Sequence, residues 1–435
     1  MLGTNPRDEN AYDVVVVGGG PAGSTAATFL VRQGLRVAVF EREAFPRFHV
    51  GESLLPANLP IFDRLGCHQA LQQTGLMEKR GVTIFDEYEH RGTMTVQFPR
   101  LPFQPDSSYQ VVRASFDDFL LHHAAASGAS VYRQHTVTAA RHDPDQVVLQ
   151  VTAAQGGTRE VRTQVLVDAS GRSTFLGTQF GRREPLPDLG KVSLFAHFRN
   201  VRRDPTIPEG NARLYLIPQG WMWWFSFADG TDSIGCVLHA QVVKARTGSI
   251  EALFDEVLAT SPRVTAGLVD AERISLVQPV ANFSYRITPC VGDRYLAIGD
   301  AAGFIDPIFS TGVYLAMRSG ELAADAIGEA FRAHDFRAHR FHAYDKYLRR
   351  GTAPFLPFIE RFYDPEFLDT FVSQRAPTWL RLPVVWVLSG AAFDYRSLWR
   401  SLWLRFGLAI FFAIVHIHKV IRWTKGRTVA SRRSW

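Results

Sequence analysis

Four consecutive valines, Val14 to Val17, run without interruption into Gly18-Gly19-Gly20-Pro21-Ala22-Gly23. A short continuous apolar run that ends on glycines predicts a strand buried on both faces and then a turn. The next stretch, STAATFLVRQG, repeats its apolar positions at helical spacing, and LRVAVFE reads as a second buried strand closed by Glu41. Together these make a βαβ unit. Farther on, LPIFDRLGCHQALQQTG reads as helical, and a strand-rich region extends to about residue 104. VVRASFDDFLLHH (111–123) predicts an amphipathic helix behind Arg113. VYRQHTVTAARHD and VVLQVTAAQGGTREVRTQVLVDASG alternate like strands, the second folding back at a glycine turn. Residues 191–240 alternate as a second, mostly β region. RYLAIGDAA (294–302) and VYLAMRSGELAADAIGEAF (313–331) return to the α/β pattern, and residues from 350 onward are helical and rich in Trp and Phe. No internal repeat or low-complexity segment is present.

The glycine spacing has a chemical meaning. Gly18 permits the tight turn off the strand, Gly20 lets backbone amides approach a pyrophosphate, and Gly23 lets the helix pack close to the sheet. The phosphates then meet unpaired N–H groups at a helix N-terminus. Glu41 follows Gly23 by 18 residues, where a carboxylate accepts hydrogen bonds from both ribose hydroxyls and repels a 2′-phosphate. An adenine dinucleotide is therefore expected, and NADP is disfavoured. Only one such fingerprint occurs, so NAD(P)H has no Rossmann domain of its own.

Composition narrows this further. With 435 residues and 46% hydrophobic content the chain can bury a large core in two or three domains. Three scattered cysteines (Cys67, Cys236, Cys290) give neither a disulfide framework nor a metal cluster, so no metal is expected and a reducing cytoplasm suits the chain. The N-terminal MLGTNPRDEN lacks the apolar core of a signal peptide. The net charge of +6 is uneven: Lys419, Arg422, Lys425, Arg427, Arg432 and Arg433 face no acid after Asp394. Without a nucleic-acid-binding fold beside it, that cluster does not predict nucleic acid as a partner.

Five segments, GGGPAGSTAA, PRFHVGESLLP, VVRASFDDFLL, LVDASGRS and YLAIGDAAGFIDPIFSTGVYLAMRSG, together resemble FAD-dependent oxidoreductases of the aromatic-hydroxylase fold. The match runs in order over roughly residues 12 to 350. Within that group the chain is most similar to the flavin-dependent halogenases, with geranylgeranyl-reductase-like proteins next. The resemblance implies an α/β + β architecture: a Rossmann-like FAD domain of the p-hydroxybenzoate-hydroxylase type, an inserted, mainly antiparallel β-sheet substrate domain, and a C-terminal helical region. The expected boundaries are 10–60, 105–185 and 286–350 for the FAD domain, 61–104 and 186–285 for the β-sheet domain, and 351–435 for the helices and basic tail.

The resemblance also assigns residues. Gly299-Asp300 would place a carboxylate on the ribityl chain of FAD, although an aspartate before a helical run also serves as an N-cap. Arg47 and Arg113 resemble the arginines that lie against the cofactor; either could equally be a solvated surface charge. Ala22, Arg42, Ser53, Asp168, Pro307, Gly312 and Val313 complete the implied cofactor set.

Three places favour a halogenase. GESLLP (51–56) resembles the halogenase GESxxP run. DPIFSTGV (306–313) resembles the stretch carrying the halide site, where Ser310, Thr311 and Gly312 would bind chloride or bromide through converging N–H groups; a helix cap is the plainer alternative. Lys79, in LMEKRGVTIF, resembles the halogenase lysine, against the ordinary reading of a surface charge. A buried ammonium would donate a hydrogen bond to hypohalous acid, and desolvation would make the amine a nucleophile. The family's WxWxIP run appears here as Trp221-Met222-Trp223-Trp224-Phe225-Ser226: the tryptophans lining the substrate tunnel match and Ile-Pro does not. Trp223 and Trp224, on opposite faces of a strand, cannot both line one pocket.

Phe406 to His418 is a thirteen-residue stretch without acid, Lys or Arg, too short to span a bilayer. It reads as a lid over the substrate cleft, with anionic lipid or an acidic carrier protein meeting the basic end as further readings. The resulting expectation is a cytoplasmic halogenase, in peripheral membrane contact under the lipid reading. It would use reduced FAD from a separate flavin reductase, dioxygen and chloride or bromide. Its substrate would be a phenol or pyrrole, free or on an acyl or peptidyl carrier protein. The alternative is a monooxygenase or dehydrogenase of the same fold, because Ile-Pro is missing.

Overall fold

The computed structural model describes residues 10–87, 92–98, 105–186, 190–281, 284–306, 308–353, 356–362, 365–372, 382, 384–386, 389–390 and 398–432. The valine run forms the central strand Ala11–Val17, flanked in parallel by Thr158–Asp168 and Val37–Glu41. Outward from these, Tyr295–Ala297 and Ser130–Arg133 extend the parallel sheet, which explains why its strands are apolar on both faces. Helices Pro21–Arg32 and Thr311–Ala333 cover one side, their alanines filling the cluster around Val14, Val16, Val165 and Val167. The expected glycine-turn hairpin is present as Val147–Ala153 against Thr158–Asp168.

A second sheet of eight strands joins Gly81–Asp86 and Thr93–Gln97 to strands from residues 191–281, and all its pairings but one are antiparallel. On its strand Gly220–Ser226, side chains alternate between two clusters. Met222 and Trp224 pack with Phe254 and Val257 of helix Ile250–Leu258. Trp221 and Trp223 face the other way, into a cluster that also holds Phe195, Ile308, Phe309 and the C-terminal Phe358, Phe362, Phe367 and Phe411. The helical region therefore packs on the Trp221 and Trp223 face of this strand.

The stretch Phe406–His418 is not a short helix of its own. It lies inside one helix, Leu398–Arg432, because no glycine-proline break separates the apolar run from the basic end. Phe411 and Val415 are buried in that cluster, while Phe406, Ile417, Val420 and Ile421 are exposed. Among the described residues, no helix is long and apolar enough to cross a membrane. The apolar run WLRLPVVWVLSGAAF (379–393), which with the basic end makes up the surface expected to meet anionic lipid, lies mostly outside the described residues.

Candidate active site

The first turn off the central strand is built for close approach. Gly18 sits at φ +106°, a region L side chains avoid, and a Cβ there would lie 2.4 Å from the Ala169 carbonyl oxygen. A Cβ on Gly23 would lie 2.0 Å from the Gly18 oxygen. Helix Pro21–Arg32 thus starts against the strand end, its first turn facing a cavity of about 540 Å³ lined by Gly18, Gly20, Ala22 and Glu41. Glu41 accepts the Gly19 N–H at 2.7 Å and the Glu43 N–H at 2.8 Å, which fixes its carboxylate and leaves lone pairs toward the cavity. Arg42 also lines it, donating to Ser173 Oγ at 2.8 Å.

Neither predicted arginine is a solvated charge. Arg113, the first residue of helix Arg113–Ala126, is buried and holds Asp117 through two bonds of 2.7 and 2.8 Å. Its Nη1 donates to the Val50 and Gly51 carbonyls, tying the loop that leads into Glu52 and Ser53. Arg47 stacks on Phe45, and its Nη1 lies 3.3 Å from Asp117 yet makes no hydrogen bond. Its Nη2 is turned to Gly20 on the cavity wall, where a guanidinium suits a pyrophosphate oxygen.

The two predicted aspartates part ways. Asp300 lines the cavity, and desolvation pushes its carboxyl up to about 6 against the pull of Arg113 and Arg172. Asp168 does not reach the cavity: both its oxygens accept backbone N–H groups, of Ser170 at 2.9 Å and Leu176 at 2.7 Å. It shapes the turn that presents Ala169, Ser170 and Arg172 to the cleft, and its assignment as a cofactor contact is corrected accordingly. Gly299, at φ +57°, likewise turns the chain beneath the cleft without lining it.

Trp221, Trp223 and Phe225 form the opposite wall. Phe225 stacks on Trp223 at 6.2 Å, extending the aromatic barrier where the family motif has isoleucine. Ser226 points to the other face, fully buried, donating to Asp232 at 2.6 Å and accepting from Arg213 at 3.2 Å. The absent proline is therefore replaced by a polar anchor behind the wall. Ser226→Pro should cost about 2–4 kcal/mol in a denaturant titration, because it removes the hydroxyl that bridges Arg213 and Asp232 and puts proline into an interior strand; unchanged stability would exclude that role.

Lys79 is not part of the cavity lining and sits one contact back from it. It ends the short strand Met77–Lys79, which pairs with Ser108–Gln110, and is 2% exposed. Its Nζ donates to Ser53 Oγ at 2.8 Å and to the Leu54 carbonyl at 2.9 Å, over the Phe98 ring at 5.2 Å. No carboxylate pairs with it, and burial pulls its pKa down to about 7. Ser53 itself borders the cavity, so one hydroxyl separates the amine from the cofactor cleft.

In the turn expected to hold the halide, helix Thr311–Ala333 begins after Ser310, held at φ 56°. The Ser310 side chain caps no N–H of that helix, which leaves the first-turn amides of Thr311, Gly312 and Val313 open at the cavity edge formed by Ser310, Gly312 and Val313. Thr311 is buried behind them, and Pro307 lies outside the described residues. Asp306, whose carboxyl burial pushes up to about 7, closes the turn by accepting the Ile308 N–H. Among the described residues, no group of three His, Cys, Asp or Glu could hold a metal.

Two cleft features escaped the sequence reading. Glu52, inside the quoted GESLLP run, lines the cavity and meets His197 at 2.6 Å; Arg172, inside LVDASGRS, lines it beside Asp300. Their motifs were visible, but their partners lie far away in the chain. The Arg47 Nη2 turned to Gly20, the turn a Cβ would fill and the placed Glu41 all fit an adenine dinucleotide with a flavin beyond it.

Comparison with known proteins points the same way. A family model described as an FAD binding domain matches residues 11–343. The 1H-pyrrole-2-carbonyl-(peptidyl-carrier protein) brominase of Pseudoalteromonas luteoviolacea is 34% identical over 398 residues, covering 90% of this chain and 94% of its own. The corresponding chlorinase of Pseudomonas fluorescens is 29% identical, covering 90% and 91%. Among solved structures, the flavin-dependent brominase Bmp2 superposes with a TM-score of 0.80 at 30% identity, covering 93% of this chain and 99% of its own. The myxobacterial chondrochloren halogenase CndH gives 0.77 at 32%, covering 82% and 83%.

Proposed function

The chain belongs to the FAD-binding-domain family and is a flavin-dependent halogenase, and from that premise we propose that it halogenates a pyrrole or phenol ring delivered on a carrier protein, with Lys79 directing the halogen. The observation that carries this reading is Lys79 itself, buried without a counter-ion among the described residues and one serine hydroxyl from the cofactor cleft. Bound reduced FAD, with dioxygen and halide, supplies hypohalous acid. Everything after that falls to the protein. Open amides at Thr311 and Gly312 hold the halide beside the cleft. Trp221, Trp223 and Phe225 keep the ring of the substrate out of the oxygen chemistry. The Lys79 amine receives the oxidised halogen, by hydrogen bond or as a haloamine, and fixes which ring carbon meets it.

Carrier delivery is supported by the two relatives named for carrier-bound pyrrole, which match nine-tenths of this chain. The basic end of helix Leu398–Arg432 suits an acidic carrier, and the phenylalanine cluster beneath that helix would close over the delivered ring. A separate flavin reductase supplies the cofactor, a reading supported by the single dinucleotide fingerprint in the sequence.

The test uses purified enzyme with reduced FAD, dioxygen and bromide, offered phenols and pyrroles free and as carrier-protein thioesters. Bromide-dependent mass gain, faster on the carrier, is expected. Hydroxylation or desaturation indifferent to bromide would overturn the reading, and equal rates on free acids would remove the carrier.

A further inference from the structure

One buried pair in the cleft is left over once cofactor, halide and lysine have their residues. Glu52 is 1% exposed, between Gly51 and Ser53 on the cavity wall. Its Oε1 lies 2.6 Å from Nε2 of His197, while its Oε2 is buried with no hydrogen-bond partner. A carboxylate oxygen of that kind is costly unless something in the cleft meets it. His197 comes from strand Lys191–Arg199, whose backbone at that point is fixed by Ser275 Oγ accepting the His197 N–H at 2.9 Å. Its ring stands edge-on to Phe48 at 5.0 Å and to Phe227 at 5.6 Å, so it has one orientation.

The electrostatics favour a proton on the ring. Burial lowers the imidazole pKa, but the hydrogen bond and charge of Glu52, with Asp229 adding to them, outweigh it and raise the net value. Asp229 belongs to an exposed turn, whereas Glu52 faces the cleft, where Arg113 and then Asp300 lie behind it. The neighbouring His49 is held down at about 4 by burial and by Arg113, so it carries no proton at neutral pH. The pair thus links the surface to the cleft interior.

The reaction needs such a link. Neutral reduced FAD, dioxygen, a halide anion, an arene C–H and one proton yield oxidised FAD, an aryl halide and two waters. The flavin gives two electrons, exchange of C–H for C–halogen gives two more, and both oxygen atoms leave as water. One proton must therefore enter the cleft for every halide.

Resting on the halogenase reading above, we propose that Glu52 and His197 are the proton-delivery pair of this cleft: the imidazole is charged from the Asp229 side and passes its proton through Glu52 to the oxygen being reduced on the cofactor side of the tryptophan wall. Glu52 is the group that touches the reacting oxygen; His197 recharges it and holds it in place. A donor in this position contributes on the order of a hundredfold or more to the rate.

The experiment compares full-length Glu52→Gln, Glu52→Asp and His197→Gln, each loaded with FAD. Without turnover, NMR titration of the His197 ring, assigned by its absence in His197→Gln, should move to lower pH by about one unit in Glu52→Gln. In turnover, bromination by the unaltered enzyme should fall as pH rises through the raised His197 pKa. Glu52→Gln should lose about a hundredfold in kcat and release the oxygen as hydrogen peroxide, and Glu52→Asp should recover part of it. A Glu52→Gln enzyme with the original kcat and alkaline limb, an unmoved His197 titration, or a fall in FAD affinity that accounts for the lost rate would each overturn the proposal. Failure of the unaltered enzyme to form any aryl halide would instead overturn the preceding reading, and the NMR titration would still decide this one.

Discussion

Lys79→Ala removes aryl-halide formation, by a factor of at least a hundred in kcat, while reduced FAD is still oxidised by dioxygen at its former rate. The split follows from position. Lys79 touches Ser53, Leu54 and Phe98 and lines no part of the cofactor cavity, so its loss leaves the oxygen chemistry intact and strands its product. Free hypohalous acid should appear, trapped by an added thioether. Lys79→Arg then separates two chemistries: a guanidinium still donates hydrogen bonds but stays protonated and cannot form a haloamine. Unimpaired product formation by Lys79→Ala would remove the lysine from the mechanism.

The same residue makes a stability prediction whose sign can be worked out. In the folded protein burial brings the amine to about 7, whereas the unfolded chain keeps its proton to about 10.4. Below the folded value both states are charged, and the full desolvation cost is present. Between the two values the unfolded chain binds more protons, so stability from this group climbs with pH. Lys79→Met should therefore raise Tm near pH 6, despite losing two hydrogen bonds worth about 1 kcal/mol each, and the gain should vanish towards pH 10. A residue that destabilises the fold at neutral pH and has no structural partner of opposite charge is one kept for chemistry.

What could be read from the sequence was whatever the backbone dictates locally. The valine run, the glycine spacing and Glu41 specify a parallel strand, a tight turn and a carboxylate at the end of the next strand within a stretch of 28 residues, 14 to 41, and each lies where it was expected. Strand period alone put Trp223 and Trp224 on opposite faces. Lys79 was legible only by resemblance, because its burial arises from pairing with Ser108–Gln110, some thirty residues on, and from contact with Ser53. Asp168 looked like a cofactor contact since it stands in the run whose next residues line the cavity; that both its oxygens turn to backbone amides depends on the conformation of the next turn. Glu52 and His197 stand 145 residues apart and meet only when one sheet is laid over the other. Ser226 read as a defect in a motif because the buried Asp232 and Arg213 that use it come from neighbouring strands.

Gly23→Ala should yield colourless protein, with FAD affinity lowered a hundredfold or more in a flavin-fluorescence titration. In an isolated helix the substitution is favourable by about 1 kcal/mol, since alanine is the better helix former. Here the added Cβ would sit 2.0 Å from the Gly18 carbonyl oxygen and 3.1 Å from Ala169 Cβ, and backbone cannot rotate out of the way as a side chain can. Helix Pro21–Arg32 must retreat from the strand end, at an overpacking cost of about 1–3 kcal/mol that reverses the propensity gain. The retreat also moves the first-turn amides off the pyrophosphate, and hydrogen bonds to an anion weaken steeply with distance and misalignment. Gly34→Ala is the control: Gly34 has φ +84° but nothing within 4 Å of its Cβ position, so it should lose about 1 kcal/mol of stability and keep its yellow colour. If Gly23→Ala instead purified yellow with unchanged affinity, the cofactor would not be seated on this turn, and the placement of the halide beside it would fall as well.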